Sequence, residues 1–198
     1  TTPTATTFTV NADVGINQPG PLSGTVYKTT AASDNNETPN RVYYSKINQP
    51  EAVPAINYID VGSKDKQILR ILALRDNLFC LKEDGIFIVT GSGPGNFSVR
   101  LLDNSAILTA PDSAVVLNNL IYCLTTQGVV SISDSGVSIV SRNIEDQIKK
   151  VTTFNYNFKN TAFGVSYESD RAYLLWLPTT KQDTVATQCF RYSTITNT

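Results

Sequence analysis

The sequence predicts an all-β protein built of consecutive antiparallel meanders that form propeller-like blades. The first observation is an internal repeat, because residues 73–89 (ALRDNLFCLKEDGIFIV) align without a gap with residues 116–132 (VLNNLIYCLTTQGVVSI). Their offset of 43 residues lies within the period of about 40–45 residues of a four-stranded propeller blade. The second observation is a series of short β-branched and aromatic runs separated by turn residues. The third is a hydrophobic content of 41%, which is enough for a core.

The first repeat predicts four short strands joined by turns. Arg75–Asp76 and Glu83–Asp84 provide two tight turns, and Gly85 can adopt a positive φ. The segment GSGPG at Gly91–Gly95 provides a wider turn. The predicted strands are Gln67–Leu74, Asn77–Lys82, Gly85–Thr90 and Phe97–Leu102.

The second repeat copies this plan, and further strands are predicted on both sides of the two repeats. The strands of the second repeat are Ser113–Leu117, Leu120–Leu124, Gly128–Ser133 and Val137–Ser141. Arg41–Ile47 and Asn57–Val61 precede the repeats, and Thr184–Tyr192 is the last strand. Between them, Thr161–Glu168 and Arg171–Leu177 alternate cleanly and predict a hairpin that turns at Ser169–Asp170.

One short helix is predicted from about Ile144 to Lys150. Asn143 is a favourable N-cap residue, and the lysines at 149 and 150 would lie in the last turn, where cations suit the helix dipole. One apolar stripe follows the helical period, at Ile144, Ile148 and Val151. The helix is therefore expected to pack on a sheet.

Composition divides the chain into two parts. Residues 1–40 are rich in Thr, Asn and Pro, and this composition predicts an extended segment with room for one hairpin. Two strand-like runs lie within it, at Thr7–Val10 and Gly24–Thr29. Residues 41–198 predict the propeller-like β domain. The chain contains no methionine, so we expect it to be a fragment of a larger protein.

Charge and composition argue against several classes of function. The net charge of −1 does not favour sequence-independent DNA binding, and no apolar run approaches the ~20 residues of a membrane helix. The absence of histidine removes the commonest general base and metal ligand. The three cysteines, Cys80, Cys123 and Cys189, lack metal-site spacing, and Cys80 and Cys123 are expected to be buried thiols on matching strands. We therefore expect no enzyme, cofactor or metal, and synthesis in a reducing compartment.

Several motifs resemble functional sites but are interpreted as structural. A strand-like run follows GSGPG, where a phosphate loop would open a helix. SDSGVS at Ser133–Ser138 is interpreted as a hairpin turn, because it lacks the full pattern of an Asp-box. Asp60–Asp65 lacks the dense ligand spacing of a calcium loop, Glu83–Asp84 is expected to be a solvated turn, and no acidic pair has a fixed glycosidase separation.

Aromatic residues offer a second set of candidates. Tyr43, Tyr44 and Tyr58 could stack on a sugar, although strand aromatics more often pack within a sheet. Trp176 is the only tryptophan and is expected at an interface between sheets. No catalytic, cofactor-binding or metal-binding residue is predicted.

Six segments of the chain form a recognisable series. They are RVYYSKINQPEAVPAINYIDVG (Arg41–Gly62), Leu74–Gly91, Phe97–Leu102, Val116–Ile132, SRNIEDQI (Ser141–Ile148) and YESDRAYLL (Tyr167–Leu175). Together these segments resemble the tail nozzle, or tail tubular B, proteins of short-tailed bacteriophages. The resemblance covers roughly residues 41–192, about three quarters of the chain.

This resemblance implies a virion protein with a propeller-like domain that assembles as a homo-oligomeric ring around the DNA exit channel. It further implies contacts with other tail subunits, a role in host attachment and genome delivery, and synthesis in the bacterial cytoplasm. No sequence-specific nucleic-acid contact and no membrane insertion are expected. Two alternatives remain: a carbohydrate- or receptor-binding propeller that contacts a host surface glycan and, less favoured, a propeller glycoside hydrolase.

Overall fold

The computed structural model describes residues 26–28, 38–93, 95–154 and 158–198. Within these ranges the chain is mostly β-structure, arranged in four antiparallel sheets. The first seven strands are β1 (Val26–Lys28), β2 (Arg41–Tyr44), β3 (Tyr58–Asp60), β4 (Ile68–Leu74), β5 (Asn77–Lys82), β6 (Gly85–Thr90) and β7 (Ser98–Asp103). The next seven are β8 (Val115–Leu117), β9 (Leu120–Thr125), β10 (Gly128–Ser133), β11 (Gly136–Ile139), β12 (Phe163–Tyr167), β13 (Ala172–Leu177) and β14 (Gln188–Ser193).

Two helices follow β11 and precede β12 along the chain, α1 (Glu145–Phe154) and α2 (Phe158–Thr161). Short 3₁₀ turns at Pro111–Ser113 and Arg142–Ile144 precede β8 and α1. In the described part of the chain, neither helix is long and apolar enough to cross a membrane.

The chain forms two compact units, Thr1–Leu101 and Leu102–Thr198. In the first unit, the sheet β1-β2-β3 and the sheet β4-β5-β6-β7 each connect strands in chain order. Apolar side chains from both sheets form one core. Its buried members are Val42, Val61, Ile68, Leu78, Cys80, Phe87 and Val89.

In the second unit, the sheet β8-β9-β10-β11 packs against the sheet β12-β13-β14. The helices complete the core, with Ile148 and Val151 of α1 and Phe158 of α2 buried against the strands. The sheets contribute Leu117, Tyr122, Leu124, Val129, Tyr173, Leu175 and Leu177.

The internal repeat is closest in its two central strands, whereas β7 and β11 do not coincide after the displacement. β5 and β9 have the same bounds after a displacement of 43 residues, and so do β6 and β10. The hairpin turns also correspond, since Arg75 (φ 53°) begins the first turn and Asn118 (φ 50°) and Asn119 (φ 57°) form the second. Two successive positive φ values define a type I′ turn, which suits the twist of a two-residue hairpin and which asparagine tolerates.

The all-β fold of antiparallel meanders is confirmed, whereas the arrangement of these sheets as propeller blades stays a prediction. The strand predicted at Gly24–Thr29 is present as β1, which pairs with β2. The predicted run Thr7–Val10 lies outside the described residues. The unit boundary after Leu101 falls inside the predicted domain of residues 41–198, and the division at residue 40 stays a prediction.

The short helix is confirmed and begins at Glu145, one residue after the predicted start, but its predicted N-cap and end are wrong. Asn143 is not the N-cap, because it lies inside the 3₁₀ turn before α1. The helix continues to Phe154, so Lys149 lies mid-helix, where it pairs with Glu145 one turn earlier. The predicted apolar stripe is correct, since Ile148 is buried and Ile144 packs against the same core. Burial of this stripe stabilises the helix beyond its predicted end at Lys150, and capping preferences, which depend on neighbouring residues alone, do not reflect that burial.

Candidate functional site

A fully buried lysine anchors the centre of the first unit. Lys82 ends β5, and its side chain has no exposed surface. Its Nζ donates to the carbonyl oxygens of Val61 at 2.7 Å and Ser63 at 3.0 Å, and it lies 5.1 Å from the centre of the Phe87 ring. A buried ammonium is tolerated only when it is paired and hydrogen-bonded. Lys82 therefore holds the segment after β3 against the β5–β6 hairpin.

The acid of this cluster is Asp84, and here the prediction of a solvated turn is wrong. Its Oδ1 lies 3.3 Å from Lys82 Nζ, and its side chain is only 23% exposed. That distance makes an ion pair, but Oδ1 is buried without a well-oriented hydrogen bond from any described residue. We therefore assign the contact as electrostatic. The neighbouring Glu83 is exposed, as predicted, and accepts a hydrogen bond from the Gln67 amide.

Gly62 allows this close approach. Its φ of +62° lies in the left-handed region, and a Cβ there would come within 2.5 Å of the Phe87 ring and 2.9 Å of Lys82 Nζ. Any side chain at this position would therefore push the ammonium away from the carbonyls that it binds. The Lys82 ammonium is used by the two carbonyls and by Asp84, so the cluster has a structural role in holding these segments together.

The outward side of β2 and β3 carries aromatic rings and one ion pair. Val42 points into the core, so its strand neighbours Arg41 and Tyr43 face outward with their partners Asp60 and Tyr58. Arg41 donates to Asp60 at 2.8 and 3.3 Å, and its guanidinium lies 3.6 Å from the centre of the Tyr58 ring. This hydrogen bond raises the pKa of Arg41 above its ordinary value.

Tyr43 and Tyr58, two of the three tyrosines for which sugar stacking was the less favoured alternative, therefore lie together on that face. Tyr43 and Tyr58 have ring centroids 6.1 Å apart, and Tyr58 is 40% exposed. Tyr44 packs edge-on against Phe97 at 5.0 Å, as expected of strand packing. Asp60, the first residue of the segment Asp60–Asp65, pairs with Arg41.

The sheet β12-β13-β14 has one buried and one exposed face. Tyr173, Leu175 and Leu177 of β13 are buried in the core. The alternate residues therefore form the opposite face, and cross-strand partners lie on the same side of a sheet. We call this surface the outer face. It consists of Phe163, Val165, Tyr167, Leu174, Trp176, Cys189 and Arg191.

The outer face is apolar and uncovered. Phe163, Val165 and Tyr167 are 40%, 41% and 47% exposed. The rings of Phe163 and Trp176 stack with centroids 6.0 Å apart, and Arg191 pairs with Asp170 at 3.2 Å beside them. Trp176 was predicted at an interface between sheets, and in this chain it lies half-buried on the outer face. A contiguous exposed apolar patch of this kind is typical of an interaction surface.

A small apolar cleft opens at one edge of the second unit. Its volume is about 90 Å³, and most of its walls are apolar. Tyr192 lies on this edge, its ring 5.8 Å from that of Tyr122. The residues around the cleft include Val129, Val140, Ser141, Asn143, Ile144, Phe190 and Tyr192.

The loop between β13 and β14 is organised by a carboxylate that sequence reasoning missed. Asp183 accepts hydrogen bonds from the amides and hydroxyls of Thr179 and Thr180 and from the hydroxyl of Thr187, at 2.7–3.0 Å. These bonds, those from Thr180 foremost, hold the pKa of Asp183 well below its ordinary value. The TTKQDTVAT pattern, an acid flanked by threonines, is the signal that could have indicated it.

The motifs interpreted as turns are turns. Asn96 Oδ1 accepts from the amides of Ser92 and Gly93 at 3.0 Å, so these donors are not available to a phosphate, and β7 follows. Ser133 pairs with Gly136 across a two-residue turn. Cys80 and Cys123 are buried free thiols, as predicted. Among the described residues, no three His, Cys, Asp or Glu side chains are grouped as metal ligands.

No protein-family model matches the chain, and no curated protein matches it significantly.

Proposed function

We propose that this protein is a structural component of a bacteriophage tail, of the nozzle or tail tubular type. It assembles with other tail subunits as a homo-oligomeric ring in the virion, takes part in host attachment and genome delivery, and acts by assembly without turnover. The segments that resemble the nozzle family support this proposal because they coincide with ordered β-structure. Arg41–Gly62 contains β2 and β3, Leu74–Gly91 contains β5 and β6, and Tyr167–Leu175 spans the β12–β13 turn.

The observation that carries the proposal is the outer face. Monomeric soluble proteins rarely leave a large contiguous apolar patch in water. Here Phe163, Val165 and Tyr167 are exposed next to Leu174 and Trp176 on a regular sheet. In the first unit, the buried ammonium of Lys82 is hydrogen-bonded to the main-chain carbonyls of Val61 and Ser63. This pairing suits a rigid building block better than a reactive centre.

Immunogold electron microscopy of purified virions tests the proposal. An antibody raised against this protein should label the tail tip, and the label should disappear when the antibody is first absorbed with the purified chain. Label absent from all particles, with the protein found free in the lysate, would overturn the proposal.

A carbohydrate- or receptor-binding role is the second candidate, and the outward side of β2 and β3 favours it. Tyr58 is an exposed aromatic ring with the hydrogen-bonding Arg41 above it, and rings of this kind can stack on sugars. A binding glycan should raise the unfolding temperature of the wild-type protein through linkage. The same glycan should leave the unfolding temperature of a Tyr58→Ser variant unchanged. An equal rise in the unfolding temperature of both proteins would refute a glycan site at Tyr58.

A further inference from the structure

We propose that the outer face binds the first sheet, β1-β2-β3, of a second copy of this chain. The contact deepens the proposed function, on which it rests, by naming the surfaces through which the subunits join. It continues between copies a packing pattern that repeats within the chain. Sheets that pack face to face in this way lie about 10 Å apart.

The repeat defines two equivalent faces for each sheet. In β5 and β6, one face packs on the preceding sheet through Leu78, Cys80, Phe87 and Val89. After two displacements of 43 residues, Phe87 and Val89 correspond to Tyr173 and Leu175, which also pack on the preceding sheet. We call this the rear face and the opposite one the forward face.

The forward face is buried in the first two repeats. In β5 it presents Phe79 and Leu81, both 0% exposed. In β9 it presents Tyr122 and Leu124, which are 2% and 0% exposed and pack in the core shared with the sheet that follows.

In the third repeat the same positions are exposed. Tyr122 and Leu124 correspond to Val165 and Tyr167, which are 41% and 47% exposed. The residues remain apolar although water now reaches them. A solvent-facing side of an antiparallel sheet normally alternates to polar residues. The third forward face thus keeps the character of a face that another sheet covers.

The first sheet of a second copy fits this position in order and in chemistry. Within the chain, the forward face of the sheet β8-β9-β10-β11 is covered by the sheet that follows it, β12-β13-β14. The outward side of β1-β2-β3 presents Tyr43 and Tyr58 for apolar contact. An ion pair also lies at each surface, Arg41 with Asp60 on the first sheet and Arg191 with Asp170 at the margin of the outer face, so opposite charges can face each other across the contact.

Such a contact is heterologous, because two different surfaces of the chain meet. Heterologous contacts form rings when the rotation closes and filaments when it does not. The outer face consists of three strands of about six residues and therefore covers roughly 14 Å by 20 Å. This area is small for a stable interface. We therefore expect reversible, concentration-dependent association of the wild-type chain.

The experiment combines sedimentation analysis of the full chain with fluorescence of Trp176. Val165→Glu disables the outer face, and Val185→Glu, at a site 64% exposed, is its matched control. Tyr58→Glu disables the first sheet, and Ile56→Glu, at a site 84% exposed, is its control. Circular dichroism verifies that every variant folds.

We expect the wild type and both controls to associate, and acrylamide quenching of Trp176 to decrease as they do. Each disabled variant alone should be monomeric. An equimolar mixture of the two should form a one-to-one dimer, because each supplies the surface that the other lacks.

Three results would overturn the proposal: a wild type that stays monomeric at every concentration, a Tyr58→Glu variant that associates like the wild type, or association that leaves Trp176 quenching unchanged. Virion labelling distinguishes this failure from failure of the proposed function. Labelled tails with a monomeric chain would refute only the contact, whereas self-association without labelled tails would refute only the tail role.

Discussion

The hydroxyl of Tyr173 donates a 2.8 Å hydrogen bond to the main-chain carbonyl of Ser113, and this bond joins the two sheets of the second unit. Ser113 lies just before β8, and its own hydroxyl bonds Ala110 at 2.6 Å and the Leu124 amide at 2.9 Å. The Tyr173 ring stacks on Tyr122 at 5.6 Å, and burial raises the pKa of Tyr173 well above its ordinary value. Gly164 leaves the room for this arrangement, since a Cβ there would lie 2.3 Å from the Ser113 oxygen.

We expect Tyr173→Phe to lower the free energy of unfolding by about 1–3 kcal/mol, because it leaves a buried carbonyl without its donor. Chemical denaturation monitored by circular dichroism measures the change. Tyr192→Phe is the matched control, since that hydroxyl bonds Asn197 at the surface, and it should cost much less. Equal losses in the two variants would contradict the role assigned to Tyr173.

We expect Lys82→Met to destabilise the protein by about 2–4 kcal/mol, because it removes charge-assisted hydrogen bonds to two carbonyls and leaves Asp84 without its cation. Lys66→Met is the control, since Lys66 is exposed and its ammonium forms only a long ion pair, 4.0 Å from Asp65. Denaturant titration of both variants measures the difference. A Lys82→Met protein as stable as the control would contradict the role assigned to the ammonium, because an uncharged side chain of similar length would then stabilise the protein equally well.

We expect one thiol of the native protein to react rapidly with a disulfide reagent and three to react after unfolding. Burial raises the pKa of Cys80 and Cys123 to about 12, so the reactive thiolate is scarce as well as inaccessible. Cys189 is exposed on β14. Absorbance of the released thiol gives the count, and Cys189→Ser should abolish the rapid phase. A rapid phase that survives this change would contradict the burial of the other two.

We expect Asp183 to contribute stability that is present above its ordinary pKa and lost as the pH falls toward its lower folded value. Its pKa is depressed by hydrogen bonds that only the folded loop makes, so the unfolded chain takes up the proton first. The unfolding temperature, measured from about pH 6 to about pH 2, should decline less steeply for Asp183→Asn than for the wild type. The exposed Glu51→Gln serves as control, and parallel curves for wild type and Asp183→Asn would refute the role of this carboxylate.

Local pattern predicted much of the fold. The bounds of β5, β6 and β10 were predicted to the residue, because alternation of side chains and glycine-containing turns act within a few residues. The burial of Cys80 and Cys123 followed from their equivalent places in the repeat. The end of α1 did not follow, because burial of Ile148 and Val151 against the sheets stabilises the helix beyond Lys150, and local capping preferences do not express that burial.

By itself the sequence determined the strand order, the hairpin turns and the period of 43 residues, all of which are set by neighbours along the chain. Only the tertiary structure decided that Lys82 is buried beside the carbonyls of Val61 and Ser63, about twenty residues earlier. It also decided that one face of β12 and β13 is covered while the other, with Val165 and Trp176, faces water. Burial depends on which sheets meet in space, and alternation along a strand distinguishes its two faces without stating which of them is covered.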